Sequence, residues 1–467
     1  MDMHASPSLE RYLRVAIIGG GFTGAAVALN LLELPGIASV TIIEPRAQLG
    51  AGLAYGTADP AHRVNVPAIR LLVHPNEPGA FHAWLESSGA LADDPEAQLP
   101  DGRRYPRRAA FGQYVQQRLA QAVAAPGAPP FRHLRASARS VNPLGIGYAI
   151  ALDDGVEHLA DIVVLAVSHP APAVPAPLRG VAAAPKFFAN PWTENLRKTI
   201  NPSDRLLIIG TALSTADVIA ALEEEGYHNE ILAVSRRGLV SRERRPTTTG
   251  PAGDFSSAPS RTALSLLQRT RQEIARAGMW EPVIEALRNQ GGAIWAALPV
   301  DERRRFLRHL RTMWDVHRYQ LAPQLAAVLR AKAARGELRM QAARLQGSSY
   351  DGRFHVMLRR GGAQATESFD AIINCTGPDH SSVIQNNPAL ASLAAAGLLR
   401  RDVHGLGIDT TATANPINAA GQPVRNLFVA GPLARASAGE LMGLPQVTEH
   451  AARVANQVAA LGVVAGV

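Results

Sequence analysis

This sequence has almost no cysteine, very little lysine and few aromatic residues. Its one cysteine, Cys375, in 467 residues excludes an internal disulfide and the Cys-x-x-Cys pair on which dithiol exchange depends. Lysine occurs only at Lys186, Lys198 and Lys332, so the basic residues are nearly all arginine. They are dispersed, and the formal net charge of +8 therefore does not make the clustered basic stripe that a nucleic-acid partner needs. Uninterrupted apolar runs of about 18 residues are also missing, so no membrane-spanning helix is expected. The start of the chain carries Asp2 and Glu10 and no apolar core before Leu13, which argues against a secretory leader and for the cytoplasm. What is present is a composition of 47% hydrophobic and 18% charged residues, in a chain too long for one ordinary core.

The richest stretch is Arg14-Val15-Ala16-Ile17-Ile18-Gly19-Gly20-Gly21-Phe22-Thr23-Gly24, followed by an Ala- and Leu-rich run to Leu34. An apolar strand stops at Gly19, and three glycines then fall where a strand turns into a helix beside a pyrophosphate. Gly19 permits the turn, Gly21 admits the phosphate to the backbone, and Gly24 lets helix and sheet pack closely. The helix N-terminus adds unpaired N–H groups and a positive dipole. A second strand, Ser39 to Ile43, ends in Glu44, 25 residues after Gly19. An acid at that spacing selects the unphosphorylated ribose of FAD or NAD.

The pattern recurs. Arg205-Leu206-Leu207-Ile208-Ile209-Gly210-Thr211-Ala212-Leu213-Ser214-Thr215-Ala216-Asp217 again reads as strand, turn and helix, with Ala212 and Thr215 where the second and third glycines would stand. Ser235 lies 25 residues after Gly210, followed by Arg236 and Arg237. A carboxylate there would repel a 2′-phosphate, whereas serine and guanidinium groups can bind one, so this unit reads as a site for NADPH rather than NADH. Two exposed loop arginines are the plain alternative. A second repeat supports the first: Ile146 to Leu152 alternates, Asp153-Asp154-Gly155 turns and Asp161 to Val167 is a buried strand. Arg353 to Leu358, Gly361-Gly362 and Asp370 to Gly377 repeat it. Pro170 to Pro177 is a stiff connector between the two halves.

Other stretches have less definite roles. Gly52 lies in a glycine-dense loop after Glu44, and His62, Arg63 and Asn65 follow as polar candidates to face a cofactor. Arg107 could be drawn to a phosphate or simply solvated. Residues 241–262 read as a long loop, and the helices after it include one over Asp301 to His317 with Phe306, Leu310, Met313, Trp314 and His317 on one face. His317 is either a core-edge histidine or a substrate-side group. Arg425 to Gly431 is a last buried strand, and a helix from Pro445 to about Leu461 points its N-terminus towards a flavin ring.

With these motifs the chain resembles the two-dinucleotide-binding flavoprotein superfamily. His62-Arg63-Val64-Asn65-Val66-Pro67-Ala68, Arg305 to Arg311 and Trp314 to Arg318 are similar to the bacterial FAD/NAD(P)-binding protein family. Leu165 to Pro172, which includes Ser168 and His169, together with Gly210, Ser214, Asp217 and Ser235-Arg236-Arg237, resembles flavin-dependent, NADPH-using (class B) monooxygenases. The chain departs from these relatives at Ala212 and Thr215, and at Pro432, where many carry an acid.

The resemblance implies an α/β fold of two Rossmann-like dinucleotide-binding domains in a glutathione-reductase-like arrangement, with a helical insertion at about 255–336. The expected boundaries are 1–170 for the first part of the FAD domain, 171–378 for the NAD(P) domain and 379–467 for the return. It also implies FAD and NADPH as cofactors. Gly19, Gly20, Gly21, Phe22, Thr23, Gly24, Glu44, Gly52, Arg63, Asn65 and Gly431 are the candidates on the FAD side. Gly210, Thr211, Ser214, Arg236 and Arg237 are those on the NADPH side, and Asn65 and His317 are the candidate catalytic residues. No metal is expected. The implied activity is monooxygenation of a small organic substrate with molecular oxygen. An NADPH-dependent reductase or oxidase, and a non-enzymatic flavin-binding redox sensor, remain open.

Overall fold

The computed structural model describes residues 12–167, 169–192, 196–247 and 249–464. Asp2, Glu10 and Ser168 lie outside them. The chain divides into two compact units, one of residues 1–57, 68–170 and 380–467, the other of residues 58–67 and 171–379.

The strands run β1 (Leu13–Ile18), β2 (Ile37–Ile43), β3 (Phe131–Leu134), β4 (Ala138–Pro143), β5 (Tyr148–Leu152), β6 (Glu157–Ala160) and β7 (Ile162–Leu165) in the first unit. The second holds β8 (Phe187–Phe188), β9 (Leu206–Ile209), β10 (Ile231–Ser235), β11 (Leu338–Ala342), β12 (Arg344–Tyr350), β13 (Phe354–Arg360), β14 (Ala363–Phe369) and β15 (Ala371–Asn374). The chain then returns to the first unit with β16 (Leu427–Val429). Each unit has a five-stranded parallel sheet, ordered β16-β7-β1-β2-β3 in one and β11-β10-β9-β15-β8 in the other. Taken from opposite ends these are the same sheet, β16-β7-β1-β2-β3 matching β8-β15-β9-β10-β11. Only the edge strand β16 or β8 differs in origin, coming from the C-terminal return in the first unit and from the connector in the second.

The central strands are apolar on both faces, as parallel strands covered by helices must be. Ala16, Ile17, Val40, Ile42, Val163 and Val164 are wholly buried in the first sheet, and Leu206, Leu207, Ile208, Leu232 and Ile372 in the second. The two sheets also share a polar pin. Asp161 accepts from the Arg14 backbone N (2.9 Å) and guanidinium (3.1 Å), and Asp370 accepts from the Arg205 backbone N (2.8 Å). Each acid stands just before the strand that pairs with the nucleotide-turn strand, so the pin fixes register where the hydrophobic contacts cannot.

The repeated alternating segments form three-stranded antiparallel meanders, β4-β5-β6 and β12-β13-β14. In β13 the period of two puts Phe354, Val356 and Leu358 into a core with Leu207, Leu232, Val234 and Ile372 of the parallel sheet. The meander thus covers one sheet face at about 1.5–3 kcal/mol per fully buried large side chain.

Two expectations change. The helix expected over Asp301 to His317 is broken at Leu310 into Val300–His309 and Arg311–Arg318, although the side-chain period runs on through the break. The loop 241–262 is tied down: Arg242 and Arg244 exchange backbone bonds with Val316 and Leu321, and Phe255 is buried under the Arg269 guanidinium.

Lysine is used sparingly and inside. Lys332 is fully buried and donates to Glu223 (2.6 Å), Glu337 (3.2 Å) and the Tyr227 carbonyl. Lys186 pairs with buried Asp204 at 2.7 Å, and Lys198 alone is exposed. No helix among the described residues is long and apolar enough to cross a membrane.

Candidate functional site

The first nucleotide turn is built from steric necessity. Gly19 sits at φ +104° and donates its N–H to Ile43 O (3.0 Å); a Cβ there would lie 2.5 Å from Ala166 O. Gly24 is held by the turn itself, since its Cβ would come within 1.9 Å of Gly19 O. Gly21 is different. Its Cβ would meet only Gly52 Cα at 3.5 Å, so nothing among the described residues requires glycine there, and the open face suits an approaching phosphate. Gly21 is also the N-cap of the helix Phe22–Leu32 and supplies no side-chain cap, which leaves the first N–H groups of Phe22, Thr23 and Gly24 for an anion.

Glu44 is 7% exposed and accepts from Gly20 N (2.9 Å) through one oxygen and Arg46 N (3.1 Å) through the other. A carboxylate has about four acceptor positions, so both oxygens keep capacity for a ribose diol. The loop after it closes on the turn: Gly50 N donates to Gly20 O (2.8 Å), and Gly52, at φ +56°, brings its Cα beside Gly21. Gly431 (φ +75°) abuts Thr23, where a Cβ would sit 2.7 Å away. The structure therefore brings Gly19, Gly20, Gly21, Thr23, Gly24, Glu44, Gly52 and Gly431 together. The Phe22 side chain instead turns into an aromatic cluster, stacking on Phe111 at 5.7 Å and meeting Tyr55 edge-on at 6.0 Å. Arg107 is engaged elsewhere, with Asp93 O and Asp94.

Two histidines of this unit carry sharply shifted pKa values. His450, on the helix Gln446–Val464, accepts from Gly431 N through Nδ1 (3.2 Å), and burial, with Arg453 adding to it, pushes it down to about 3. His169 is pushed down to about 4 by burial and by Arg435; neither ring nitrogen has a hydrogen-bond partner among the described residues, and its ring meets His380 edge-on at 4.8 Å. It lies just past the C-terminal end of β7, the side on which open α/β sheets take ligands. Both are neutral imidazoles at pH 7. His450 could not have been read from the sequence, because only folding brings it under Gly431; His169 was visible, but without any signal of burial.

The second turn keeps the steric core of the first. Gly210 (φ +124°) donates to Val234 O (2.8 Å), and its Cβ would lie 2.3 Å from Cys375 O. Ala212 caps the helix Leu213–Glu224 at φ −108° and ψ −157°, ordinary extended backbone, and Ser214 stands half-buried in the first turn. Thr215 is fully buried. Thr211 Oγ1 lies 2.9 Å from Ser235 Oγ and 2.6 Å from Leu239 O, and Ser235 Oγ also accepts from Gly238 N (3.0 Å). Beyond this cradle the two arginines part. Arg237 donates to His309 O (2.9 Å) and Arg308 O (3.1 Å), capping the C-terminus of the helix Val300–His309. Arg236 is exposed and has no ion-pair partner among the described residues. Burial pushes the Cys375 thiol up to about 12, with Thr215 opposing and Asp217 adding.

Asn65 and Arg63 belong to the short segment that clusters with the second unit. Arg63 is 6% exposed, and the Asn65 carbonyl accepts from Arg244 Nε at 3.2 Å. His317, in the same unit, donates Nδ1–H to Met313 O (2.7 Å) and meets Trp280 edge-on at 4.9 Å.

Two parallel sheets, each with a glycine turn at the same strand and a return of the chain to the first, define the two-dinucleotide-binding flavoprotein fold. Residues 16–170 match the model of the FAD-NAD(P)-binding family, so the first unit carries an FAD-NAD(P)-binding domain. A comparison with curated protein sequences finds no match. Among solved structures, the chain is similar to an ornithine N-hydroxylase from Kutzneria sp. 744, described with reduced FAD, NADP+ and L-ornithine. That match has a TM-score of 0.64 and 12% identity, over 97% of this chain and 99% of that one. An L-lysine 6-monooxygenase from Pseudomonas syringae gives 0.64 and 16%, over 97% and 100%. A thioredoxin reductase from T. acidophilum gives 0.54 and 11%, over 97% and 100%. At such identities the likeness establishes the fold.

Proposed function

We propose that this chain is an FAD-dependent, NADPH-oxidising oxidoreductase of the cytoplasm, a monooxygenase that uses molecular oxygen on a small organic substrate. The observation that carries this is the paired turn: the same strand, glycine and helix occur twice, with Glu44 at the end of β2 in one and Ser235 followed by free Arg236 at the end of β10 in the other. The first suits a ribose without phosphate and the second a ribose with one. The donors present fit FAD in the first unit, since Gly21 is spared a side chain for no reason internal to the chain.

FAD, when bound, accepts a hydride and supplies the oxygen-activating chemistry. The chain's part is to hold, orient and shield. Gly21 to Gly24 offer N–H groups to a pyrophosphate and Glu44 holds a ribose diol. His169 and His450, both neutral, stand past the ends of β7 and β16, where His450 accepts from Gly431 N. Arg236 supplies the cation for a 2′-phosphate. The hydroxylases of similar fold favour oxygen insertion over dithiol exchange, as does Cys375, a single buried thiol with its pKa raised.

The test is reduction of the purified, flavin-loaded protein by NADPH and by NADH without oxygen, followed by turnover under labelled oxygen gas. Faster bleaching by NADPH and label in the product support the reading. Reduction without label indicates a reductase or oxidase. Failure of both nucleotides to reduce the flavin points to the non-enzymatic sensor, which Ala212 at the mouth of the second turn favours.

A further inference from the structure

A second kind of site lies within the helical part of the second unit. Between the segment after β10 and the helices that follow is a cavity of about 400 Å³, within the usual range for small-molecule sites. Its apolar wall is Trp280, Leu321 and Leu329, and its polar wall is Ser241, Arg242, Arg245 and His317. Ser241 is 5% exposed, and its hydroxyl is buried behind the wall. The Glu243 carboxylate, also on the wall, is neutralised by Arg330. Arg242 and Arg245 are exposed at the rim and have no carboxylate partner among the described residues. The net field at the mouth is therefore positive.

We infer that this cavity binds an amphipathic carboxylate, whose apolar or aromatic body lies against Trp280, Leu321 and Leu329 and whose carboxylate meets the guanidinium groups of Arg242 and Arg245. The inference is independent of the redox chemistry, because it concerns equilibrium binding within one unit. A planar carboxylate matches the guanidinium fork in a way that a neutral group cannot.

Calorimetric titration of the full-length protein with 3-phenylpropionate tests it, with 3-phenylpropanamide as the uncharged partner. The expected result is saturable binding of one acid per chain, at least about tenfold tighter than the amide. The double variant Arg242→Gln/Arg245→Gln is expected to lose about tenfold or more. Both arginines are exposed, so the variant should fold, and an unchanged flavin absorbance would confirm it. No binding at millimolar acid, equal binding of acid and amide, or an unaffected double variant would overturn the inference. Displacement of the acid by NADP+ would also overturn it, by assigning the positive rim to the coenzyme's own phosphate.

Discussion

The two nucleotide turns differ in which glycines they keep, and the difference separates what a turn needs from what a ligand needs. Gly19 and Gly210 are both retained, both at positive φ, and both face a carbonyl that any side chain would strike. The second glycine is kept as Gly21 and replaced by Ala212, at backbone angles any residue adopts. Only an incoming phosphate distinguishes these positions, so the first turn is the more open to an anion. The third is Gly24 against its own turn in one unit and fully buried Thr215 in the other. A degraded fingerprint is therefore compatible with an intact turn.

The harshest test of this contrast is Gly24→Ala, which would force a Cβ into Gly19 O. Loss of the visible flavin spectrum after purification is expected, whereas Thr215→Ala should leave flavin content unchanged. Equal flavin in wild type and Gly24→Ala would remove the steric argument.

Acid should separate the units next. His450 and His169 are neutral in the fold, with values pushed down to about 3 and about 4, and would titrate near 6.5 once unfolded. Their contribution is complete above pH 6.5 and is lost as pH falls towards those folded values, by up to about 1.4 kcal/mol per pH unit for each. In the second unit the main shifted carboxylate is Glu337, held down to about 2 chiefly by Arg335. Its contribution is present above pH 4.5 and declines only below that. Urea unfolding at pH 7 and pH 5 should show the loss, and His450→Gln should flatten it; an identical slope in the variant would contradict the assignment.

The coenzyme comparison is smaller. Arg236→Ala should raise the KM for NADPH about 10- to 100-fold and scarcely alter that for NADH, the loss of one charge-assisted contact. Arg237→Ala should leave the preference intact, because its guanidinium caps a helix. Smallest of all, Ala212→Gly should lower the KM for NADPH a few-fold by reopening the second turn. A rise would mean that no phosphate approaches there.

The parts of this picture legible in the sequence are local or periodic. The strand–turn–helix at Gly19, the equal offset to Glu44 and Ser235, and the alternating β5 and β13 all follow from short-range pattern. The identity of the two sheets extends this, since Asp161 and Asp370 stand at matching places in the repeat. What escaped reading depends on contacts across many residues. Arg237 looked equivalent to Arg236 until the helix end at His309 claimed it, and Leu310 breaks a helix whose hydrophobic period continues unchanged. Phe22 stands among the glycines in sequence, but its ring packs on Tyr55 and Phe111. Ser241, in a polar stretch, gave no sign of burial.

The sparing use of lysine gives the molecule a practical chemical property. Lys332 is sealed within its ion pairs, and Lys186 is partly covered and tied to Asp204, so Lys198, on the short helix Leu196–Thr199, is the most open side-chain amine. Apart from the chain's own α-amino group, an amine-directed fluorophore should therefore attach first at this known position. An unmutated protein thus carries its own address for a fluorescent probe, without the introduction of a foreign residue.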